Sequence, residues 1–158
     1  MTDLLPLLQE FYRDKLSAVL QHIAGARVVS DYDANNAYQY IINREETQLS
    51  WVAQAIVALS AEVPTATDRT AAEPPTDMRA VIGRDVRDAQ AFVDRWRPRV
   101  EAMGNARHRK MLEVVLGETL EQKRFFEQAL AGRHDLLGRR TEDVGVLVGK
   151  VLPTRWIE

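Results

Sequence analysis

The chain has 158 residues, a formal net charge of −2 and no cysteine. Its length fits one domain, its charge gives no general attraction to nucleic acid or acidic membranes, and without thiols it can form neither disulfides nor thiolate metal sites. Hydrophobic residues make up 46% of the chain and charged residues 28%, so an apolar core with a polar surface can form.

Nothing in the sequence predicts a membrane segment. No run of about 18 apolar residues occurs, which is the length that a spanning helix needs. The N-terminal stretch MTDLLPLLQEF carries acidic residues early and has no basic region, which is not the pattern of a signal peptide. We therefore expect a cytoplasmic protein.

The first predicted helix covers residues 3–24, with Thr2 as its N-cap and Gly25 as its end. Lys15 lies inside its apolar stripe, and His22 lies two turns further along the same side. The stripe itself consists of Leu5, Leu8, Tyr12, Val19 and Ile23. Because the next connection is short, the second helix should return antiparallel to the first.

The second predicted helix covers residues 33–60, with Asp33 as its N-cap. Its apolar face, at 3.6 residues per turn, consists of Tyr38, Ile41, Ile42, Leu49, Val52, Ile56 and Leu59. Glu45 falls in the centre of that face. Burying a carboxylate is costly unless a partner neutralises it, so the position of Glu45 predicts a buried polar site.

The segment 61–76 has no apolar period, and Pro64, Pro74 and Pro75 keep it from forming a helix. The flanking helices are each roughly 35–40 Å long at 1.5 Å per residue, and an extended segment of this length reaches roughly 50 Å. A turn between neighbouring helices needs only a few residues. The segment therefore predicts the long crossover of a four-helix bundle.

The third predicted helix covers residues 77–103, and Asp85 lies at the centre of its apolar stripe. Gly104 and Asn105 break the chain, and a fourth helix follows over 105–131, closed by Gly132. The face of the fourth helix consists of Leu112, Val115, Thr119, Gln122, Phe126 and Ala129. Its centre is again polar, so every helix is expected to bring a polar side chain to the middle of the bundle.

The sequence thus predicts a bundle over 1–132 and a C-terminal tail over 133–158. The tail has weak periodicity but carries several apolar residues: Val144, Val146, Leu147, Val148, Val151, Leu152, Trp156 and Ile157. Exposed apolar surface of that size is unfavourable in a monomer. We expect the tail to pack on its own bundle or on a second subunit, and we expect a homodimer.

The polar residues at the four stripe centres are Lys15, Glu45, Asp85 and Thr119. Gln48 and Gln122 follow one turn after the second and fourth of these. With this spacing and the crossover, residues 4–131 resemble the ferritin-like superfamily, in particular bacterioferritin- and rubrerythrin-type bundles. That family places one Glu on each of two helices and Glu-x-x-His on each of the other two, around two metal ions.

The resemblance implies an all-α, ferritin-like four-helix bundle with a degenerate di-metal site. Glu45 and Asp85 keep a carboxylate at two of the family's metal-binding positions. The positions that have lost the family's residue are Lys15, Gln48, Thr119 and Gln122. Two carboxylates and one ammonium cannot neutralise two divalent ions, whereas the ammonium can replace a metal by pairing with the carboxylates. We therefore expect no cofactor.

Three functions follow from this pattern. The first is a non-catalytic protein with a polar or ionic core, which acts through binding or assembly. The second is a rubrerythrin-like oxidoreductase or an iron-handling protein, with iron or another divalent metal held by Glu45, Asp85 and His22. The third is a helical bundle that binds a small molecule of unknown identity in a polar pocket beside Lys15 and Tyr12.

Each candidate residue also has a purely structural interpretation. Glu45 and Asp85 would then form ion pairs without chemistry, the stem of Lys15 would extend out of the stripe to solvent, and His22 would be a core histidine with satisfied hydrogen bonds. The charged residues of the third helix, which include Arg95, Arg97 and Arg99, are expected to form a solvated face.

Overall fold

A computed structural model describes residues 3–65, 73–133 and 135–137, and within these residues the chain forms four α-helices and no strand. The helices are α1 (Leu4–Ala26), α2 (Tyr32–Ala58), α3 (Met78–Glu101) and α4 (Ala106–Leu130). The predicted all-α class and the number of helices are confirmed. None of these helices combines the length and the apolar character that crossing a membrane would need.

Contacts between side chains give the direction of each helix. Glu10 near the start of α1 pairs with Arg99 near the end of α3, whereas Gly25 near the end of α1 lies against Val81 near the start of α3. The two helices are therefore antiparallel. The short link between α1 and α2 makes those two helices antiparallel as well. Consequently α2 and α3 run in the same direction.

Parallel α2 and α3 require the chain between them to return along the bundle. Just after α2, the backbone carbonyl of Glu62 accepts a hydrogen bond from Gln9 near the start of α1. The start of α3, in contrast, lies at the end of α1. The link therefore begins and ends at opposite ends of the bundle, which is the connection that the length of 61–76 predicts.

The N-cap predicted for α4 is confirmed, and the N-cap predicted for α2 is wrong. Asn105 caps α4, as predicted, by accepting a hydrogen bond from the backbone N–H of residue 108. The cap of α2 is Asp31, which accepts from the backbone N–H of Ala34, and Asp33 instead lies buried in the first turn. Asp31 and Asp33 are equally good capping residues, so side-chain type alone could not separate them.

Two glycines were predicted to end helices, and only one does. Gly132 follows α4 with a φ of +78°, a left-handed conformation that favours glycine. Gly25, in contrast, lies inside α1, which continues to Ala26. A Cβ atom on Gly25 would lie 2.9 Å from Cγ1 of Val81. Glycine at this position permits the close approach of α1 and α3.

The core consists of two apolar clusters, one toward each end of the bundle. The first cluster contains Leu8, Phe11, Val52, Ile56, Phe92, Val93, Trp96, Val100, Met103, Leu112, Val115 and Leu116. The second contains Ala26, Val29, Ala34, Tyr38, Ile41, Ile42, Val81, Ile82 and Phe126. On each helix, the polar residue at the predicted stripe centre lies between its contributions to the two clusters. The core is therefore interrupted by one polar layer.

The predicted tail is described only at its beginning. Leu136 is buried, and Arg133 pairs with Asp135. Residues 138–158, which carry the apolar side chains expected to dock, lie outside the described residues. The docked tail and the homodimer therefore stay predictions.

The close approach of α1 and α3 can be tested with two matched glycine substitutions. Gly25→Ala should lower the free energy of unfolding by about 1–3 kcal/mol, because the new methyl group overpacks against Val81. Gly117→Ala is the control, since Gly117 lies within α4 with open space around it, and it should raise stability by roughly 0.5–1 kcal/mol. Urea denaturation of both variants measures the difference. Equal effects would contradict the proposed packing constraint.

Candidate functional site

The polar layer is buried. The predicted site residues Lys15, His22, Glu45, Gln48, Asp85, Thr119 and Gln122 are all in the buried class. Only 2% of the surface of Lys15 is exposed, so the interpretation that its stem carries the ammonium out to solvent is wrong. Buried charged groups must find partners within the bundle.

Lys15 and Glu45 form an ion pair at the centre of the layer. Nζ of Lys15 lies 3.0 Å from Oε2 of Glu45, although the two atoms are not aligned as a hydrogen bond. The same ammonium donates to Oγ1 of Thr119 at 3.4 Å, and the Thr119 hydroxyl donates to the carbonyl of Val115. The predicted pairing of Lys15 with a core carboxylate is confirmed for Glu45.

His22 supplies the second partner of Glu45. Its Nδ1 lies 2.5 Å from Oε1 of the carboxylate. Burial by itself lowers the pKa of His22, but the charge and the hydrogen bond of Glu45 outweigh burial, and the net effect is a raised pKa. Burial alone would raise the pKa of Glu45, yet His22 and Lys15 hold it below its usual value. Glu45 is therefore a carboxylate held between the ammonium of Lys15 and an imidazole whose pKa is raised.

Asp85 has its own partners and does not complete the site of Lys15. Its carboxylate accepts hydrogen bonds from the Tyr38 hydroxyl and from Nε2 of Gln21, the latter at 2.9 Å, and it lies 3.4 Å from Nε of Arg84. Burial and the neighbouring carboxylate together raise the pKa of Tyr38 well above its usual value. The expectation that Lys15 would pair with both carboxylates is therefore wrong for Asp85.

Gln48 and Gln122, which the resemblance to the ferritin-like superfamily places at histidine positions, have different environments. Gln48 donates a hydrogen bond to Glu118 of α4, and Glu118 also pairs with Arg44. Gln48 thus belongs to the contact between α2 and α4. Gln122 is 3% exposed, and its Nε2 has no hydrogen-bond partner. A buried donor without an acceptor is unfavourable, and Oε1 of Gln48 likewise has no hydrogen-bond partner.

A cavity of about 190 Å³, open to solvent, extends from the polar layer. Its polar floor consists of Lys15, His22, Glu45, Thr119 and Gln122. Its rim includes Asp14, Gln21, Asp88 and Arg95, and its apolar wall includes Ala18, Ala89 and Phe92. Tyr12, which was predicted to line a pocket beside Lys15, does not line it. The cavity makes the buried ionic group accessible to a small molecule.

The residues present do not fit the family's two metal ions. The ammonium of Lys15 lies 3.0 Å from the carboxylate that would have to bind them, and His22 already contacts the same carboxylate. The alternative set of metal ligands, Glu45, Asp85 and His22, is not brought together either. Asp85 contacts Tyr38 and Gln21 rather than the other two residues. Across the part of the chain that the structure describes, no group of three or more His, Asp or Glu residues is arranged to hold a metal.

The sequence analysis did not predict the ion pairs that join α1 and α3. Arg95 and Arg99 were predicted to lie on a solvated face, yet Arg95 pairs with Asp14 and Arg99 pairs with Glu10, both of α1. The sequence did carry a signal for these ion pairs. The two arginines are four positions apart on α3 and the two acidic residues are four positions apart on α1, so each set lies on one face of its helix. Gln21 gave no such signal, since nothing in its sequence environment points to a partner on α3.

The chain was compared with protein-family models, with curated proteins and with solved structures, and no match was found. Function must therefore be inferred from the chemistry of the polar layer and of the cavity above it.

Removing Lys15 tests the ion pair. Lys15→Ala should lower the free energy of unfolding by roughly 3–5 kcal/mol, because it leaves the buried Glu45 with one cation fewer. The double variant Lys15→Met/Glu45→Gln removes both charges and should recover much of that loss. Arg99→Ala, at an exposed pair, is the control and should change stability by less than about 1 kcal/mol. A neutral Lys15→Ala in chemical denaturation would contradict the pairing.

The shifted pKa values predict how stability depends on pH. His22 has a raised pKa, so its contribution is complete below the usual value of 6.5 and is lost as the pH rises through the higher value of the folded protein. Glu45 has a lowered pKa, so its contribution is present above about 4.5 and is lost as the pH falls. Stability should therefore decline both above pH 6.5 and in acid.

Denaturation at a series of pH values measures this decline in the wild type and in His22→Gln. The variant should lose the part of the decline above pH 6.5 that belongs to His22. The control His108→Gln changes a histidine outside the polar layer and should keep it. Identical alkaline profiles for the wild type and His22→Gln would show that His22 does not bind Glu45 as an imidazolium.

Proposed function

We propose that this chain is a non-catalytic binding protein. It is a ferritin-like bundle in which an ionic group, formed by Lys15, Glu45 and His22, replaces the di-metal centre. It takes up a small polar molecule in the cavity above that group. The observation that carries the proposal is a solvent-open cavity whose floor consists of five buried polar side chains, one of which, Gln122, has a donor without a partner.

The ferritin-like part of the proposal is supported by topology and by position. Two helical hairpins are joined by a connection that leaves α2 and α3 parallel, and each helix brings a polar residue to the middle of the bundle. In the family those positions hold metal ligands. We propose that the ammonium of Lys15 supplies the positive charge that the metals supply in the family.

The state of Glu45 argues against catalysis. His22 and Lys15 hold its pKa below the usual value against the effect of burial, so near neutral pH it is a weak base with little tendency to take up a proton. The same cations occupy the carboxylate oxygens that a metal would need. Glu45 is therefore suited to fixing charge within the bundle rather than to acid–base or redox chemistry.

Binding is favoured over a purely structural ionic core because the layer is reached from solvent. A core group that serves only stability gains most from complete enclosure and full hydrogen bonding. Here the floor borders a cavity, and the amide of Gln122 lacks a partner. A ligand that supplies an acceptor would recover the free energy that this unsatisfied donor costs.

Three small probes of nearly equal size test the proposal: propionate, propionamide and propylammonium. Each is titrated into isotopically labelled protein, and the resonances of cavity residues such as Ala18 and Ala89 are followed by nuclear magnetic resonance. At least one probe should shift these resonances saturably. Ala18→Leu fills the cavity and should abolish binding, whereas the control Ala106→Leu at an exposed position should not. No saturable shift with any probe would overturn the proposed function.

A further inference from the structure

The polar floor of the cavity carries hydrogen-bond donors that a ligand could engage. Oε1 of Glu45 is occupied by His22, and Oε2 faces Lys15. The hydroxyl of Thr119 gives its proton to a backbone carbonyl. The ammonium of Lys15 has three N–H groups, of which one donates to Thr119, while Nζ lies 3.0 Å from Oε2 of Glu45. Nε2 of Gln122 has no acceptor. A ligand that fits this floor must therefore accept hydrogen bonds.

The charges of the floor also favour a ligand that accepts hydrogen bonds, and specifically an anion. Lys15 and His22 share the single carboxylate of Glu45, so a protonated His22 leaves one positive charge in excess. The charge of Asp85 acts on His22 but is shared with Arg84, which lies 3.4 Å from its carboxylate. An uncompensated buried charge is unfavourable. A bound anion would neutralise it.

The acidic residues of the rim oppose an anion only weakly. Asp14 pairs with Arg95 at 3.0 Å and accepts from Nε1 of Trp96 at 2.8 Å, so its charge is already neutralised. Asp88 is exposed and accepts a hydrogen bond from Gln21 at 2.8 Å. Exposed charges are screened by water and salt, whereas charges on a buried floor are screened much less. The floor therefore determines the preferred charge of the ligand.

The shape of the cavity limits the ligand further. A volume of about 190 Å³ corresponds to roughly six water molecules at about 30 Å³ each, so only a small molecule fits. Ala18, Ala89 and Phe92 form an apolar wall above the polar floor. This wall suits a short hydrocarbon chain and offers nothing to the remaining oxygens of an inorganic anion.

From the floor and the wall together, we infer that the cavity binds a small carboxylate. Its carboxylate group lies beside Lys15 and Gln122, and its short apolar chain lies along Ala18 and Phe92. This inference rests on the proposed function and names the chemical class of the molecule that the site takes.

The test compares propionate, propionamide and inorganic phosphate at pH 7 and constant ionic strength, with the same resonances as the readout. Propionate should bind at least about tenfold more tightly than propionamide, since it alone supplies the negative charge. Gln122→Leu removes the unsatisfied donor without adding bulk and should weaken propionate by about tenfold. Arg99→Gln removes a cation outside the cavity and should leave propionate binding unchanged.

The double variant Lys15→Met/Glu45→Gln tests the contribution of the charges of the floor separately from that of the Gln122 amide. It removes both the ammonium and the carboxylate that raises the pKa of His22, so its affinity for propionate should fall to the level of propionamide.

The possible failures are distinct. Propionamide binding as tightly as propionate would overturn the carboxylate inference and leave the proposed function in place. Phosphate binding in the cavity without propionate would overturn the inference in favour of an inorganic anion. If neither propionate nor phosphate binds, the carboxylate inference is overturned, and the proposed function is overturned as well only when propionamide and propylammonium also fail to bind. Unchanged propionate affinity in Gln122→Leu and in the double variant would show that the floor does not bind the carboxylate.

Discussion

Glu45 lies fully buried between the ammonium of Lys15 and the imidazole of His22, and the centre of the bundle depends on this contact. The two cationic residues are seven positions apart on α1, close to two helical turns, so they lie on one face of that helix. The carboxylate of α2 must fit between them. The contact therefore fixes how α1 and α2 align along their axes. Breaking it would leave a buried charge without its partner.

The polar layer also explains how the rest of the bundle is arranged. Apolar clusters lie on both sides of it, and each helix crosses the layer through a polar residue. Near one end, α1 and α3 approach closely at Gly25, and toward the other end they are linked by Arg99 and Glu10. Between these contacts the small side chains of Ala18 and Ala89 leave space, and the cavity occupies that space.

Much of this arrangement could be predicted from helical periodicity. A stripe at 3.6 residues per turn indicates which face of a helix is buried, so it correctly placed Lys15, Glu45, Asp85 and Thr119 inside the bundle. Periodicity does not show which neighbouring helix a buried side chain meets, because that depends on how each helix is rotated about its axis. For this reason Asp85 was expected beside Lys15 and instead binds Tyr38.

The same limit applies at the edges of the stripes. Gln48 is buried, but it faces Glu118 of α4 rather than the charged group, and His22 contacts Glu45 although both a core role and a metal-ligand role were open to it. A polar pocket beside Lys15 was one of three interpretations, but its position and lining could not be predicted, since the cavity arises where small side chains of two distant segments face each other. Such a gap is a property of packing and leaves no pattern in one helix.

We propose that the ammonium of Lys15 takes the place of metal ions at the middle of this bundle. Elemental analysis of the protein, purified without chelators from cells grown with added iron, manganese and zinc, tests that claim most directly. The account predicts no stoichiometric metal in the wild type, because Lys15 and His22 occupy both oxygens of Glu45. One or more metal ions per chain, lost in the Glu45→Gln variant, would contradict it.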